Sequence, residues 1–428
     1  MTFPSVFSRR GLMKGALRFA APALAAIALL APMAAQAADP IKIGFSISST
    51  GGLSGGGKSA LLAFEIWRDD VNARGGLLGR PIQLINYDDQ SNPSLVPAIY
   101  SKLLDVDKVD FVISSYATNQ IAPAMPIVMQ RKLLFMALFG TGVNDEFKYD
   151  KYFQILPNGV ETKLGPSRGF LEIAMTMNPK PQTIALIGAD AEYAQNVIEG
   201  ARESVKRLGL KVVYDRSYPP TTTDYSPIVR AVQATNPDVV FVASYPPDSV
   251  GIVRAANEIG LKPKMFGGGM IGLAFTPIKA QLGALLNGIV AYDVYVPEPT
   301  MKFPGIDDFL KRYQEKAAAQ GVDPLGYYLP PYSYAEMQVL AEAITKVGSL
   351  DQGKLADYIH KTAFKTIVGE VKFAPNGEWE KERVLFVQYQ GVEGNDVNQF
   401  RQVGKQVILY PPEFKSGTFK YPFSDFKK

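Results

Sequence analysis

Residues 110–142 read DFVISSYATNQIAPAMPIVMQRKLLFMALFGTG, and the fold turns on how that stretch is parsed. An apolar run over 109–113 gives way to the small polar residues Ser114, Ser115, Thr118, Asn119 and Gln120, and apolar residues at helical spacing then continue to Arg131. This pattern is a strand, a turn and the N-terminus of a helix. Such a junction leaves backbone N–H groups unpaired at the positive end of a helix dipole, where a carboxylate or phosphate can be held. Thr118 or Asn119 is placed to cap the helix or to turn its side chain to an anion. A second strand over 133–139 ends in Gly140, Thr141 and Gly142, and parallel pairing would set this turn beside the first. Two polar turns at neighbouring strand ends make a crevice, which is where open α/β sheets bind ligands. The plainer alternative is a pair of capped loops that bind nothing.

Working outward, residues 1–37 stand apart from the fold. Ser8, Arg9, Arg10, Gly11, Leu12, Met13 and Lys14 give a twin-arginine pattern, an uncharged Ala/Leu-rich run follows Arg18, and Ala35, Gln36 and Ala37 offer a cleavage site. This is an export signal to the periplasm, with an uncleaved membrane anchor as the alternative. The signal carries Arg9, Arg10, Lys14 and Arg18 and no acid, so of 45 basic and 41 acidic residues the mature chain keeps 41 of each. The balance argues against a nucleic-acid partner, and no run of like charge marks a membrane-surface helix. The absence of cysteine excludes disulfides and a lipid-modified cysteine anchor. About 390 mature residues exceed one ordinary core, so two lobes are expected.

Short β-rich runs alternate with helical patterns along the mature chain: 41–47 then 58–72, 82–87 then 93–104, then the central unit. The series restarts at 183–187, with helices at 193–208, 225–234 and 249–259 between strands at 212–214 and 239–243. Alternation of this kind implies an α/β fold, two lobes with mainly parallel sheets covered by helices. Helices follow at 307–319, 332–347 and 355–361, and hairpins are expected from Glu370, with turns at 375–377 and 391–395.

Two motifs suggest enzymes. Gly52, Gly57, Lys58 and Ser59 fit the phosphate-cradling pattern, and Gly52, Ser54 and Gly56 fit a nucleophile elbow. A nucleotide enzyme also needs a strand-end acid for its metal, and only Asp88 or Asp89 comes near, in a chain bound for a compartment poor in ATP. A serine hydrolase needs a histidine base, and the single histidine, His360, lies in an amphipathic helical run. Thiol chemistry and ordinary zinc sites are excluded by the same counts. No enzyme, cofactor or metal is expected, and the glycines read as a close-approach loop at the cleft.

The runs IKIGFSISSTGGLSG (41–55), DDVNARGGLLGRPIQLINYDDQSNP (69–93), FVISSYATNQIAPAM (111–125) and KTIVGEVKFAPNGE (365–378) resemble the branched-chain amino-acid type of ABC-transporter solute-binding proteins, the type I periplasmic binding fold. The resemblance spans residues 40–383. It implies two Rossmann-like lobes joined by three crossovers near Pro157, 288–297 and 365–369, with lobes at 38–157 plus 290–366 and 158–289 plus 367–428, the latter including a C-terminal extension. Carried over, Thr118 stands where the family's serine binds the ligand carboxylate, Thr141 where its threonine does, and the Phe139 carbonyl where the ligand ammonium is accepted. Tyr116 and Ala117 flank Thr118 in the site. From the second lobe, Tyr193 and Tyr245 match the tyrosines that close over the ligand. Two positions depart: the family's ammonium-pairing acid falls at Gly269, beside Met270, and its loop aromatic falls at Gly56.

A periplasmic solute-binding protein of an ABC importer is therefore expected, a monomer that hands a small carboxylate to a permease in the inner membrane. A ligand sensor of the same fold is the alternative. The two departures remove the ammonium's partner and are expected to enlarge the cleft, which favours an aromatic or bulky apolar carboxylate over a branched-chain amino acid. Asp190, Glu192 or Asp248 is the candidate for a displaced ammonium partner. Tyr328 and Tyr332 are further candidates to line the cleft.

Overall fold

Two mainly parallel sheets organise the chain. The structure, a computed structural model, describes residues 38–427, so the twin-arginine pattern and its cleavage site lie outside the described residues. The first sheet contains β1 (Ile41–Ile47), β2 (Ile82–Asp88), β3 (Phe111–Tyr116), β4 (Phe135–Leu138) and β5 (Tyr152–Gln154) in the order β2-β1-β3-β4-β5, every pair parallel. The order reverses between β1 and β3, which opens a crevice at their C-terminal ends. The second sheet contains β6 (Thr183–Ala189), β7 (Lys211–Tyr218), β8 (Val239–Ser244), β9 (Met265–Met270) and β10 (Val290–Asp293). After a small hairpin of β11 (Ala363–Thr366) and β12 (Gly369–Lys372), β13 (Leu385–Tyr389) and β14 (Gln406–Tyr410) complete that sheet in the order β14-β13-β10-β9-β8-β6-β7. The last two strands are antiparallel, and the other five run parallel.

The central strands are buried along their whole length because helices cover both faces. β8 (VVFVAS) is buried at all six positions. The helix Ser54–Ala73 packs on β1, β2 and β3 and against Pro330–Val347, so the late helices return to the first sheet. Gly165–Ala174 and Glu192–Leu208 cover the second. Described residues from 39 onward make one compact unit, and among the described residues no helix is long and apolar enough to cross a membrane.

Several expectations need correction. β3 runs on through Ser114, Ser115 and Tyr116, all buried, and the two serine hydroxyls have partners there: Ser114 donates to the Ser115 carbonyl and Ser115 to Asp89. The single helix expected after it is cut into Thr118–Ile121, a 3-10 turn Ala122–Ala124 and Met125–Gln130, with Pro123 and Pro126 at the breaks. The helix expected to start at Lys58 starts at Ser54. The strand β9 was hidden by its sequence MFGGGM, since three glycines carry no β-propensity. β10 falls in a stretch assigned to the first lobe and to a crossover, yet it pairs with β9 and β13. The expected third crossover at 365–369 is the turn of the β11–β12 hairpin, and the chain returns to the second sheet at Leu385.

Two buried acids carry a pH dependence. Glu336 and Glu378 are 0% and 1% exposed, and neither carboxyl has a hydrogen-bond partner. Burial pushes both well above the usual carboxylate range, with the charge of Asp145 adding to the effect at Glu378. A raised carboxyl contributes stability that is whole below its unfolded value and erodes as pH climbs toward the folded one. The melting temperature is therefore expected to fall by several degrees between pH 5.5 and pH 8, and Glu336→Gln with Glu378→Gln to flatten that slope. Calorimetric scans at the two pH values check this, and a melting temperature that rises with pH contradicts it.

Candidate ligand-binding site

The candidate residues gather at the C-terminal ends of strands from both sheets. β3 ends at Tyr116, and the chain then turns sharply at Ala117, held at φ +82° and ψ 146°. Alanine in that region costs of order 1–3 kcal/mol, a strain that concentrates where function needs it. Neither Thr118 nor Asn119 caps the following helix, a correction: Ala117 is the N-cap and its carbonyl takes the N–H groups of Gln120 and Ile121. The first helical piece has only four residues, so its dipole is slight and side chains must do more of any anion recognition. The side chain of Thr118, fully buried, accepts the N–H of Thr141 at 3.0 Å, which leaves its hydroxyl hydrogen to donate.

The second turn is tied to the first by side chains. Phe139 sits at φ +62°, a rare conformation for a bulky residue. Gln154 holds it there, its Oε1 accepting the N–H of Phe139 at 2.9 Å and of Leu156 at 3.1 Å. Asn158 donates to the Thr141 hydroxyl at 3.2 Å, and Asn196 from the second half donates to the Thr141 carbonyl at 2.8 Å. The three amides had no signal in sequence, since each lies far from the turn it supports.

The tyrosines of the second half close on Asn119. The Tyr245 hydroxyl donates to its side-chain oxygen at 2.7 Å and the Tyr193 backbone N–H at 3.4 Å, and the two rings meet edge to face at 5.7 Å. Asn119, read as a cap or as a partner for an anion, thus ties the halves together, as Asn196 does through Thr141. The Tyr193 hydroxyl donates to the carbonyl of Gly269 at 3.0 Å. Met270, opposite Ser244 at the end of β9, is fully buried in the core. Tyr328 and Tyr332 flank Phe139 with ring centroids at 5.2 and 5.3 Å, and Phe275, not foreseen, packs on Tyr328 at 5.1 Å.

The two glycine departures do not leave the empty space expected of them. A Cβ at Gly56 would lie 2.7 Å from the Tyr116 ring and 2.8 Å from Leu329, and one at Gly269 would lie 3.2 Å from the Tyr193 hydroxyl and 3.1 Å from Val197. Tyrosines fill both places. Open volume lies further out, in a cavity of about 250 Å³ between Gly52, Gly55, Gly56 and Lys58 on one side and Pro246, Phe275 and Ile278 on the other.

The acids near the second-half tyrosines divide by their partners. Asp248 takes the Tyr218 hydroxyl at 2.7 Å and the Tyr245 N–H at 3.1 Å, capping the helix Pro246–Ile259. Asp190 accepts from Gln195 at 2.7 Å. Glu192 is pushed up to about 7 by burial and by the charge of Glu146 across the crevice.

The enzyme motifs are absorbed into structure. Ser54 to Gly57 form the first turn of the long helix, pressed so closely on β1 that a Cβ at Gly57 would lie 2.0 Å from the Ser48 carbonyl. Asp89, fully buried, accepts the hydroxyls of Ser48 and Ser115 and so ties the ends of β1, β2 and β3. His360 makes its hydrogen bond with the Asp150 carbonyl at 2.7 Å, and its ring lies tilted against Phe153 at 4.7 Å. No group of three or more acidic or histidine side chains among the described residues could hold a metal.

Two parallel-sheet halves with polar and aromatic residues converging from the strand ends of both define a bilobal binding protein of the type I periplasmic fold. The chain belongs to the periplasmic binding protein family, whose model matches residues 40–393, and the relatives it resembles include binding proteins of the branched-chain amino-acid type. It is 27% identical over 406 residues to the Leu/Ile/Val-binding protein homolog 7 of Brucella abortus, covering 90% of this chain and 95% of that one. Its fold matches the substrate binding protein LivJ of Streptococcus pneumoniae, solved with isoleucine, with a TM-score of 0.71 at 18% identity over 87% of this chain and 100% of that one. It also matches a solute-binding protein of an ABC transporter from R. palustris, solved with benzoate, with a TM-score of 0.71 at 16% identity over 86% and 95% of the two chains. These relatives are solute-binding proteins rather than enzymes, and the family is periplasmic.

Proposed function

We propose that this protein captures a small aromatic or bulky apolar carboxylate in the periplasm and delivers it to an ABC permease of the inner membrane. The observation that carries the reading is Gly269 where the family's resemblance places an acid, with the Tyr193 hydroxyl occupying the space. A buried ammonium without a partner charge costs several kcal/mol. A carboxylate instead meets the Thr118 hydroxyl, the Thr141 turn and the first N–H groups after Ala117, and its ring meets Tyr116, Phe139 and Tyr328. Ligand drives closure only as far as it prefers the closed form, through Tyr193 and Tyr245. A benzoate-bound fold relative is compatible with this class of ligand.

Glu192 favours a second reading, in which an α-amino acid binds and places its ammonium there, because this carboxyl lies close enough to Tyr245 for its charge to be felt by the phenol. A thermal-shift panel separates the two. Ligand at a hundred times its dissociation constant stabilises the fold by about 2.7 kcal/mol. Benzoate and related aryl carboxylates are expected to shift the transition, while leucine, isoleucine and valine leave it in place. The reverse pattern restores the amino-acid reading.

A further inference from the structure

Four buried tyrosines from four separate elements gather where the two halves meet. Tyr116 ends β3, Tyr193 opens the helix Glu192–Leu208, Tyr292 lies on β10, and Tyr328 precedes the helix Pro330–Val347. They are between 1% and 6% exposed. Tyr292 stands one step beyond the Ala291–Gly268 pair of β10 and β9, hence beside Gly269, whose carbonyl takes the Tyr193 hydroxyl. From the other half, the rings of Tyr116 and Tyr328 lie 6.4 Å apart, each against Phe275. The hydroxyl of Tyr116 is buried beside the Tyr328 phenol, near enough to feel it, yet makes no hydrogen bond of good geometry. Burial pushes all four up, and the neighbouring phenols add to the effect at Tyr193, Tyr292 and Tyr328, so they keep their protons and stay neutral at any physiological pH.

We infer that the hydroxyls of Tyr116, Tyr193, Tyr292 and Tyr328 form a second recognition point in the cleft, for an uncharged oxygen substituent (a phenolic hydroxyl, ether or carbonyl) on an aromatic carboxylate. The inference rests on the carboxylate reading above and deepens it. Exchanging an acid for Gly269 ringed by phenols turns a site for a cation into one for a neutral oxygen, because a phenol donates and accepts hydrogen bonds but carries no charge to compensate an ammonium. The buried Tyr116 hydroxyl lacks a well-formed bond that such an oxygen would supply, and leaving a buried polar group unpaired is what makes a site reject the analogue without the matching atom.

Titration calorimetry on the mature protein tests this with benzoate, 3- and 4-hydroxybenzoate, and the 3- and 4-methylbenzoates as shape controls. At least one hydroxybenzoate is expected to bind roughly tenfold or more tighter than its methyl counterpart. Tyr292→Phe and Tyr328→Phe are expected to erase that difference, and the ligand comparison on the unmutated protein carries the test should either variant fail to fold. Equal binding of each hydroxy and methyl pair, with benzoate still bound, overturns the inference and leaves the carboxylate reading standing. Absence of binding by every aryl carboxylate overturns both.

Discussion

Replacing Gly267 by alanine is expected to remove most of the stability of the fold. Gly267 is held at φ +144°, and a Cβ there would lie 1.9 Å from the carbonyl oxygen of Val290, its partner in the parallel pairing of β9 with β10. The contact is backbone against backbone in the middle of a seven-stranded sheet, so relief requires the strands to part and their ladder to break. Strain and lost sheet bonds together put the cost above about 4 kcal/mol, within the reach of a whole domain's stability of 5–15 kcal/mol. Little soluble protein, or a melting temperature lower by roughly 10 °C or more, is the outcome to look for in a calorimetric scan. Gly209→Ala provides the contrast: its φ is +70° but its would-be Cβ meets nothing within 4 Å, and about 1 kcal/mol is expected. If both variants melt within a couple of degrees of the parent, the β9–β10 packing described here is wrong.

Thr118→Ala has the largest expected effect on binding. The hydroxyl is the donor left free once its oxygen has accepted the Thr141 N–H, and a hydrogen bond to a buried carboxylate is worth about 1.5–3 kcal/mol, or tenfold or more in affinity. The alanine also strips the Thr141 N–H of its partner and loosens the second turn. Backbone N–H groups after Ala117 remain, so binding should weaken without vanishing. Thr118→Ser keeps the oxygen and should stay within a few-fold of the parent. Titration with benzoate measures all three proteins, and an alanine variant that binds as the parent does would place the carboxylate elsewhere.

What could be read from sequence follows from how local each determinant is. β1, β2, β6 and β8 announce themselves through apolar runs, and the two-lobed α/β class follows from their alternation with helices. β9 could not be read, because its glycines answer to the Val290 carbonyl and to Tyr193, contacts made only after folding. β10 looked like a connection for the related reason that it is four residues long and lies next to the prolines of 297–299. In the site, Thr118 and Thr141 were legible as polar turns at strand ends, and the structure joins them by a single hydrogen bond. Gln154, Asn158 and Asn196 were not, and neither was the filling of Gly56 and Gly269 by tyrosines. Each depends on which side chains the crossing of the two halves brings face to face.

A crystal structure of the mature protein grown with benzoate tests the central claim most directly. The carboxylate is expected within hydrogen-bonding distance of the Thr118 hydroxyl and the Thr141 turn, with the ring against Tyr116 and Tyr328 and with Tyr193 and Tyr245 closed over it. Benzoate found only in the outer cavity beside Lys58, or an α-amino acid retained in the cleft with its ammonium on Glu192, would contradict it.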